Sequence, residues 1–403
     1  MKRLLRIATI ILLVIITIPF ASCSCNGLSR SEKRILEERR EKVVDYMLDQ
    51  VAIIWRAGED FEYSATTNNK TIKVKKGELF LGMPYTYAGG TLDAFLEYKS
   101  ETDDKGIPVI SGLNSELLSG SASKSRVGND CSSAVALSWA SIGNSLNPKT
   151  TNTKNMTVNN GYLRVGEYVS NDDVIIGTAS VCVNNGEQKM YSSYSELKKG
   201  DAVITRNVSS GHTRMITEVE VVYESKGVID GENSKVTVLE QTSGNITGGK
   251  VYYDETLKED VRVFTGLNVE YSFKALFGGG YLPITCKELI DPSPLEEEKV
   301  TDSISNPTIE DIFSGEISCN YFMDSIYISI INSSGEVVSH CVGRVPRANK
   351  SLYNMARFTE DHPSGFMGKI DLSALPSGEY TCKVEVTTVT KKTFTVRNFN
   401  FSK

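Results

Sequence analysis

The stretch GNDCSSAVALSW, residues 128–139, decides the fold because it places a cysteine at the start of a helix. Asp130 is a favoured N-cap residue, apolar side chains follow it, and Gly143 ends the run, so the sequence predicts a helix over 130–142. Cys131 then lies on the first turn, where unpaired N–H groups and the helix dipole stabilise the thiolate, the reactive form of cysteine. The alternative is a structural cysteine in the core.

The histidines limit which residue can serve this cysteine as a base. The chain has three of them, and His340 and His362 fall in a separate C-terminal region. His212 follows Gly211 at the entry to an apolar strand, a position at a sheet edge from which an imidazole can face a cleft. Because an imidazole beside a cysteine takes its proton and stabilises the thiolate, Cys131 and His212 are a candidate nucleophile and base. A hydrogen-bonded turn histidine is the alternative.

Helical patterns come first in this region and strand patterns follow. Apolar residues recur at helical spacing within 31–57, which predicts one long helix, and a hairpin is expected for 61–64 and 71–74. Runs of β-branched and apolar residues predict later strands at 202–205, 213–223 and 236–241. This order predicts an α+β domain.

A proline- and acid-rich segment divides the chain. Residues 290–304 are predicted to link a domain over 23–289 to a small all-β module, an Ig-like β-sandwich, over 305–403. Short strands are expected in that module at 317–322, 326–331, 368–372, 380–387 and 394–398. Its three cysteines form either a disulfide, which an oxidising compartment favours, or reduced buried thiols. They are Cys319, Cys341 and Cys382.

The N-terminus has the pattern of an export signal. Residues 1–22 combine a basic start, an apolar core too short for a comfortable membrane span, and small residues before a cysteine, which predicts a signal peptide. The sequence FASC at 20–23 resembles a bacterial lipobox, in which Cys23 becomes the lipidated first residue. Phe20 departs from the usual aliphatic residue, and Cys25 is a second candidate. We expect an exported cell-envelope protein attached to the membrane by its N-terminal lipid; an ordinary secretory signal is the alternative.

Length, charge and cysteine spacing argue against several classes of function. With 403 residues and 40% hydrophobic content, the chain can bury two domain cores. A net charge of −6 and the lack of any lysine- or arginine-rich run give it no electrostatic reason to bind nucleic acid. Its eight cysteines form no close C-x-x-C pair after residue 25, so no metal or other cofactor is expected.

Four segments, in order, resemble the NlpC family of papain-like cell-wall peptidases. They are PYTYAGG at 84–90, DCSS at 130–133, LKKGDAV at 197–203 and GH at 211–212, within a region of similarity over 40–285. The resemblance implies a papain-like α+β domain, in which a cysteine-bearing helix packs on an antiparallel sheet that carries the histidine. It also implies hydrolysis of the bond between D-glutamate and a diamino acid in peptidoglycan stem peptides.

The resemblance assigns roles to individual residues. Cys131 is implied as the nucleophile and His212 as the general base and then acid, with the Cys131 backbone N–H in an oxyanion hole. Tyr87, or Tyr85, matches the family tyrosine near the cysteine. We expect Asp130 to turn its carboxylate toward backbone amides.

A third family residue orients the imidazole from the next strand. The matching segment is 236–242, where neighbouring side chains face opposite sides, so only one of Glu240 and Gln241 can point at His212. Counting back in twos along the apolar positions favours Glu240, and Gln241 stays as the alternative.

Several features depart from the family pattern. Ser133 replaces the usual glycine, and Ser132 adds small bulk beside the sulfur. The stretch 91–128 is longer than the family norm and is expected to form a lid or an extra wall over the site. Arg214, two positions after His212 on the same strand face, either lowers the proton affinity of the imidazole, binds a substrate carboxylate, or is a solvated strand arginine.

These observations favour a cysteine endopeptidase that acts on cell-wall stem peptides. A second hypothesis is a catalytically degenerate relative that binds peptidoglycan without cutting it. A third is a surface scaffold lipoprotein in which the β-sandwich carries the function. A papain-like amidase, transglutaminase or acyltransferase uses the same nucleophile and base, and the sequence leaves the oligomeric state open.

Overall fold

The computed structural model describes residues 27–64, 71–118, 127–143, 145–146, 152–156, 158–170, 177–304, 316–343, 355–357 and 372–403. The predicted signal peptide and Cys23 lie outside these ranges. None of the helices within them is long and apolar enough to cross a membrane.

Helices and strands are mixed along the N-terminal region, and strands alone make up the described C-terminal region, so the fold class is α+β. The helices are α1 (Arg30–Val51), α2 (Leu92–Leu96), α3 (Ser115–Leu118), α4 (Cys131–Ala140), α5 (Thr178–Asn185), α6 (Glu187–Ser195), α7 (Ser243–Thr247) and α8 (Phe273–Gly278). The first strands are β1 (Ile54–Ala57), β2 (Phe61–Ser64), β3 (Thr71–Val74), β4 (Leu79–Leu81), β5 (Lys99–Thr102), β6 (Pro108–Ile110), β7 (Tyr162–Arg164), β8 (Ala202–Arg206), β9 (Gly211–Glu220), β10 (Tyr223–Ser225), β11 (Val228–Ile229) and β12 (Lys235–Gln241). The later strands are β13 (Val251–Asp254), β14 (Glu259–Val263), β15 (Thr265–Ser272), β16 (Leu282–Cys286), β17 (Val300–Asp302), β18 (Glu316–Cys319), β19 (Met323–Asn332), β20 (Val337–Gly343), β21 (Met355–Arg357), β22 (Glu379–Thr388) and β23 (Thr393–Ser402).

The sheet that carries His212 has antiparallel strands in the order β15-β12-β9-β8-β16-β7. Helices α1 and α4 pack against each other and against this sheet. Every residue of α4 is buried, and Gln50 of α1 ties the helices together, because its Nε2 donates to the Ala134 carbonyl at 3.3 Å. The helix start that bears Cys131 is therefore fixed against the sheet.

Helix α1 ends at Val51, so the prediction that it extends to residue 57 is wrong. The following residues form β1, in which half-buried and buried side chains alternate, and Trp55 and Ala57 face a core. This period of two is that of a strand, and the β-branched Ile54 favours it. The predicted hairpin is confirmed, since β2 pairs with β3.

The described part of the stretch 91–128 is built into a second sheet, with the order β13-β14-β4-β1-β6-β5. Strand β6 pairs in parallel with β1, and β5 forms the edge beside it. Phe95 of α2 contacts the Trp55 ring edge-on, with centroids 5.3 Å apart, and Phe80 stacks on Trp55 at 4.5 Å. This part of the stretch is thus integral to a hydrophobic core, a long-range pairing that its polar composition did not indicate.

The C-terminal region forms two antiparallel sheets, β17-β18-β21 and β20-β19-β22-β23, which share one apolar core. Strand β17 lies within the predicted linker 290–304, so pairing starts earlier in the chain than expected. The predicted strand 368–372 lies almost entirely outside the described residues. Cys319, Cys341 and Cys382 are free thiols, and burial raises the pKa of the last two to about 12.

The C-terminal sheets dock on the helix that bears Cys131. Leu137 and Ala140 of α4 share an apolar cluster with Phe322 and Val389 of the C-terminal region. The two regions therefore bury surface against each other along the C-terminal half of α4.

A buried carboxylate borders this contact. Asp324 accepts hydrogen bonds from the Thr91 hydroxyl and from Lys391 Nζ, the latter at 3.3 Å, and Lys391 also pairs with Asp93 at 2.6 Å. Burial raises the pKa of Asp324 to about 7. The helix α2 thus serves as an anchor for the C-terminal region.

Candidate functional site

Cys131 is positioned by the N-cap of α4. The Asp130 carboxylate accepts a hydrogen bond from the Ser133 N–H at 2.7 Å and from the Ser132 hydroxyl at 2.9 Å. It is turned toward the backbone amides of the helix start, as predicted, and so leaves the amide end of the helix facing the sulfur. This is the setting in which the helix dipole stabilises a thiolate.

Ser133 completes the cap. Its hydroxyl accepts from the Asp130 N–H at 2.9 Å and donates to the Asp130 carboxylate at 2.8 Å. A glycine has no group to make either contact. The serine side chain therefore adds two hydrogen bonds that hold this helix start.

We predict that Asp130→Ala destabilises the protein by about 1–3 kcal/mol, because the cap is lost and the buried Ser132 hydroxyl loses its acceptor. Chemical denaturation of the two proteins measures the difference. Asp130→Asn is the matched control, since its amide oxygen still accepts at the cap, and it should lose less than half as much. Equal losses for both variants would show that the carboxylate charge, and not the cap, holds this helix start.

His212 and Glu240 face each other across neighbouring strands. Met215 of β9 pairs with Leu239 of the antiparallel strand β12. Glu240 is the next residue after Leu239 on β12, and its side chain lies on the same face of the sheet as His212. The His212 Nε2 and Glu240 Oε2 atoms are 2.6 Å apart. Burial alone would raise the pKa of Glu240, but its hydrogen bond to His212 and the charges of His212 and Arg214 outweigh burial and lower it to about 2. Glu240 is ionised at neutral pH.

The Cys131 sulfur is the second partner of His212. Because Nε2 is taken by Glu240, the other ring nitrogen, Nδ1, is the one available to Cys131. Burial alone would lower the pKa of His212; the charge of the Cys131 thiolate and the hydrogen bond to it, together with Glu240, raise it to about 9. The structure thus brings together a helix-start cysteine, an imidazole and a buried carboxylate.

The Tyr85 hydroxyl contacts the sulfur. It lies 3.8 Å from Cys131 Sγ, and Tyr87, two residues further along the chain, is half-buried. A backbone bridge between Tyr85 and Asn129 sets this approach. It requires Gly128, whose φ of +87° is left-handed and whose Cβ, if present, would lie 2.2 Å from a backbone oxygen.

Gln241 points away from His212. It is fully buried, and its Nε2 donates to the Met83 carbonyl at 2.6 Å. Of the two neighbours that the sequence left open, Glu240 is therefore the one that contacts the imidazole, while Gln241 fastens β12 to the segment that leads to Tyr85.

Arg214 is part of the same cluster. Its side chain is 13% exposed and its Nε donates to Glu240 Oε2 at 2.8 Å, so it is not a solvated strand arginine. Its guanidinium carbon lies 3.8 Å from the centre of the Tyr271 ring and 4.4 Å from that of Tyr281. The Tyr271 hydroxyl donates to Glu240 Oε1 at 3.3 Å.

The two tyrosines were not predicted as site residues. Each lies on or beside a strand that is two strands away from β9 in the sheet, so only the strand order reveals them. Within the described ranges, no group of three His, Cys, Asp or Glu side chains could hold a metal ion.

Comparisons with known proteins give no family for the chain. No family model matches it, and no curated protein matches it. One solved structure, described as "Crystal structure of tetra-tandem repeat in extending region of large adhesion protein", is similar at 11% identity and a TM-score of 0.19, over 50% of this chain and 40% of that one.

Proposed function

We propose that this chain is a papain-like cysteine peptidase of the cell envelope that hydrolyses the bond between D-glutamate and a diamino acid in peptidoglycan stem peptides. The observation that carries the proposal is the cluster of Cys131, His212 and Glu240, in which a helix-start thiol meets an imidazole that a buried carboxylate holds at its other nitrogen. The four sequence segments that resemble NlpC-type peptidases supply the substrate class. The proposed location, at the membrane through a lipid on Cys23, comes from the N-terminal sequence.

The proposed reaction starts from a thiolate–imidazolium pair. The Cys131 sulfur attacks the scissile carbonyl carbon, and His212 then gives its Nδ1 proton to the departing amine as the C–N bond breaks. The neutral imidazole next removes a proton from water, whose oxygen attacks the thioester; the C–S bond breaks, which releases the carboxylic acid and restores the thiolate–imidazolium pair. Glu240 stabilises the imidazolium at each stage in which it is charged.

The developing oxyanion has two candidate donors. One is the Cys131 backbone N–H, which lies on the first turn of α4 and has no partner within the helix. The other is the Tyr85 hydroxyl. Burial, with the negative charges of Cys131 and Asp130, raises the pKa of Tyr85 well above 10, so this hydroxyl remains a donor at neutral pH.

Digestion of purified muropeptides, followed by mass spectrometry, tests the proposal. We expect the wild-type protein to release a fragment that ends in D-glutamate and a fragment that begins with the diamino acid. An adduct with an added amine instead of water would identify an acyltransferase. Binding to insoluble peptidoglycan without any cleaved product would replace the peptidase proposal by a binding role.

A further inference from the structure

We infer that Arg214 is a positioning residue that shares one oxygen of Glu240 with His212 and thereby limits how strongly the imidazolium holds its proton. The inference deepens the proposed function and rests on it, because the consequence for catalysis is faster delivery of that proton to the departing amine.

The shared oxygen is the first argument. Glu240 Oε2 lies 2.6 Å from His212 Nε2 and 2.8 Å from Arg214 Nε, so two cationic groups divide the charge of one carboxylate oxygen. The second oxygen, Oε1, accepts from the Tyr271 hydroxyl. A carboxylate that is shared in this way attracts the imidazolium less than one that serves His212 alone.

The fixed position of Arg214 is the second argument. Its planar guanidinium lies between two aromatic rings, a site that suits arginine and not lysine. Tyr271 comes from β15, beyond β12, whereas Tyr281 precedes β16, beyond β8. The rings therefore approach Arg214 from both sides of its own strand and keep its Nε directed at Glu240.

Several ionisable groups lie around His212 and could influence its titration. Around His212 and its partners these are Cys131 and Asp130 at the start of α4, Glu240 from β12, Arg214 from β9, and the phenols of Tyr85, Tyr271 and Tyr281. Arginine is the one permanent cation of this set. Its removal leaves His212 as the only cationic partner of Glu240 among them.

Titration of His212 by NMR tests the inference without any substrate. The full chain has only three histidines, and His212→Gln identifies the signal of interest. In Arg214→Gln we expect the pKa of His212 to rise by about 1 pH unit, whereas in Glu240→Gln it should fall. Arg164→Gln, on the edge strand β7 of the same sheet, is the matched control and should titrate like wild type.

Kinetics add a second readout. With a peptide amide, Arg214→Gln should lower kcat about 10-fold with little change in KM, because the leaving amine needs the proton. With an activated ester, whose leaving group needs no proton, the same variant should lose less than about 2-fold. Arg214→Lys should restore part of the amide rate.

Two results would overturn the inference: a pKa of His212 in Arg214→Gln that is unchanged or lower, or equal losses of rate with the amide and the ester. If Arg214→Gln does not fold, Tyr281→Leu tests the same point, because it removes one of the two rings that hold the Arg214 guanidinium. This variant must then raise the pKa of His212. The NMR titration needs no turnover. A wild-type protein that cleaves no stem peptide would therefore defeat the proposed function alone.

Discussion

Replacement of Cys131 by alanine is expected to lower the rate of stem-peptide hydrolysis at least about 10⁴-fold, since loss of the nucleophile in a hydrolase that works through a covalent intermediate has effects of this size. The fold should survive. The side chain is 4% exposed and is replaced by one that lacks only the sulfur, while the α4 cap formed by Asp130 and Ser133 does not involve it. Steady-state release of the diamino-acid fragment measures the effect.

Cys286→Ala is the matched control for this prediction. Cys286 is also fully buried in the same domain, on strand β16, and burial raises the pKa of its thiol well above 9, so it is an unreactive core residue. The variant should keep the wild-type rate to within about 3-fold. A Cys131→Ala protein that retains substantial activity, or a Cys286→Ala protein that loses as much, would show that the Cys131 sulfur is not the nucleophile.

The parts of the site that could be predicted from the sequence are those that depend on local pattern. The helix start at Cys131 follows from an N-cap residue and an apolar run, and the structure places Asp130 in that cap. The choice of Glu240 over Gln241 follows from the alternation of side chains along a strand, and only Glu240 contacts His212.

The parts that could not be predicted depend on contacts between distant segments. The contact of Tyr85 with the sulfur depends on the register in which its segment meets Asn129, which the close approach at Gly128 sets. The ring pair around Arg214 depends on strand order. No periodicity in the sequence encodes either feature.

Contacts between distant segments also explain why the fold differs from the prediction in two places. The apolar spacing of α1 continues into β1, and only the pairing of β1 with β4 and β6 shows that a strand begins at Ile54. The stretch 91–128 reads as polar, yet Phe95 fills a core and Asp93 pairs with Lys391 of the C-terminal region. Long-range pairing overrides local composition in both cases.

Alkylation of Cys131 by iodoacetamide is expected to be nearly independent of pH between about pH 6 and 8, and near pH 6 about 10²-fold faster than in His212→Gln. An ordinary thiol, with a pKa near 8.5, is only about 0.3% ionised near pH 6. In the proposed ion pair, the positive charge of the His212 imidazolium stabilises the thiolate. The positive charge of His212 is present at low pH and is lost as the pH rises through about 9, because the pKa of His212 is raised from 6.5 to about 9.

The direction in which the ratio of the two alkylation rates changes with pH separates an activated thiol from one that is merely exposed. The ratio of wild-type to His212→Gln rates should be largest between about pH 5.5 and 7 and should approach one above about pH 9.5, where both thiols are ionised and the imidazole is neutral. Mass spectrometry of the peptide that contains Cys131 follows the rate, and Cys286 in the same samples reports any unfolding, since it reacts only when the core opens. Two profiles that rise in parallel around pH 8.5 would mean that His212 does not hold the proton of Cys131, and the proposed ion pair would have to be abandoned.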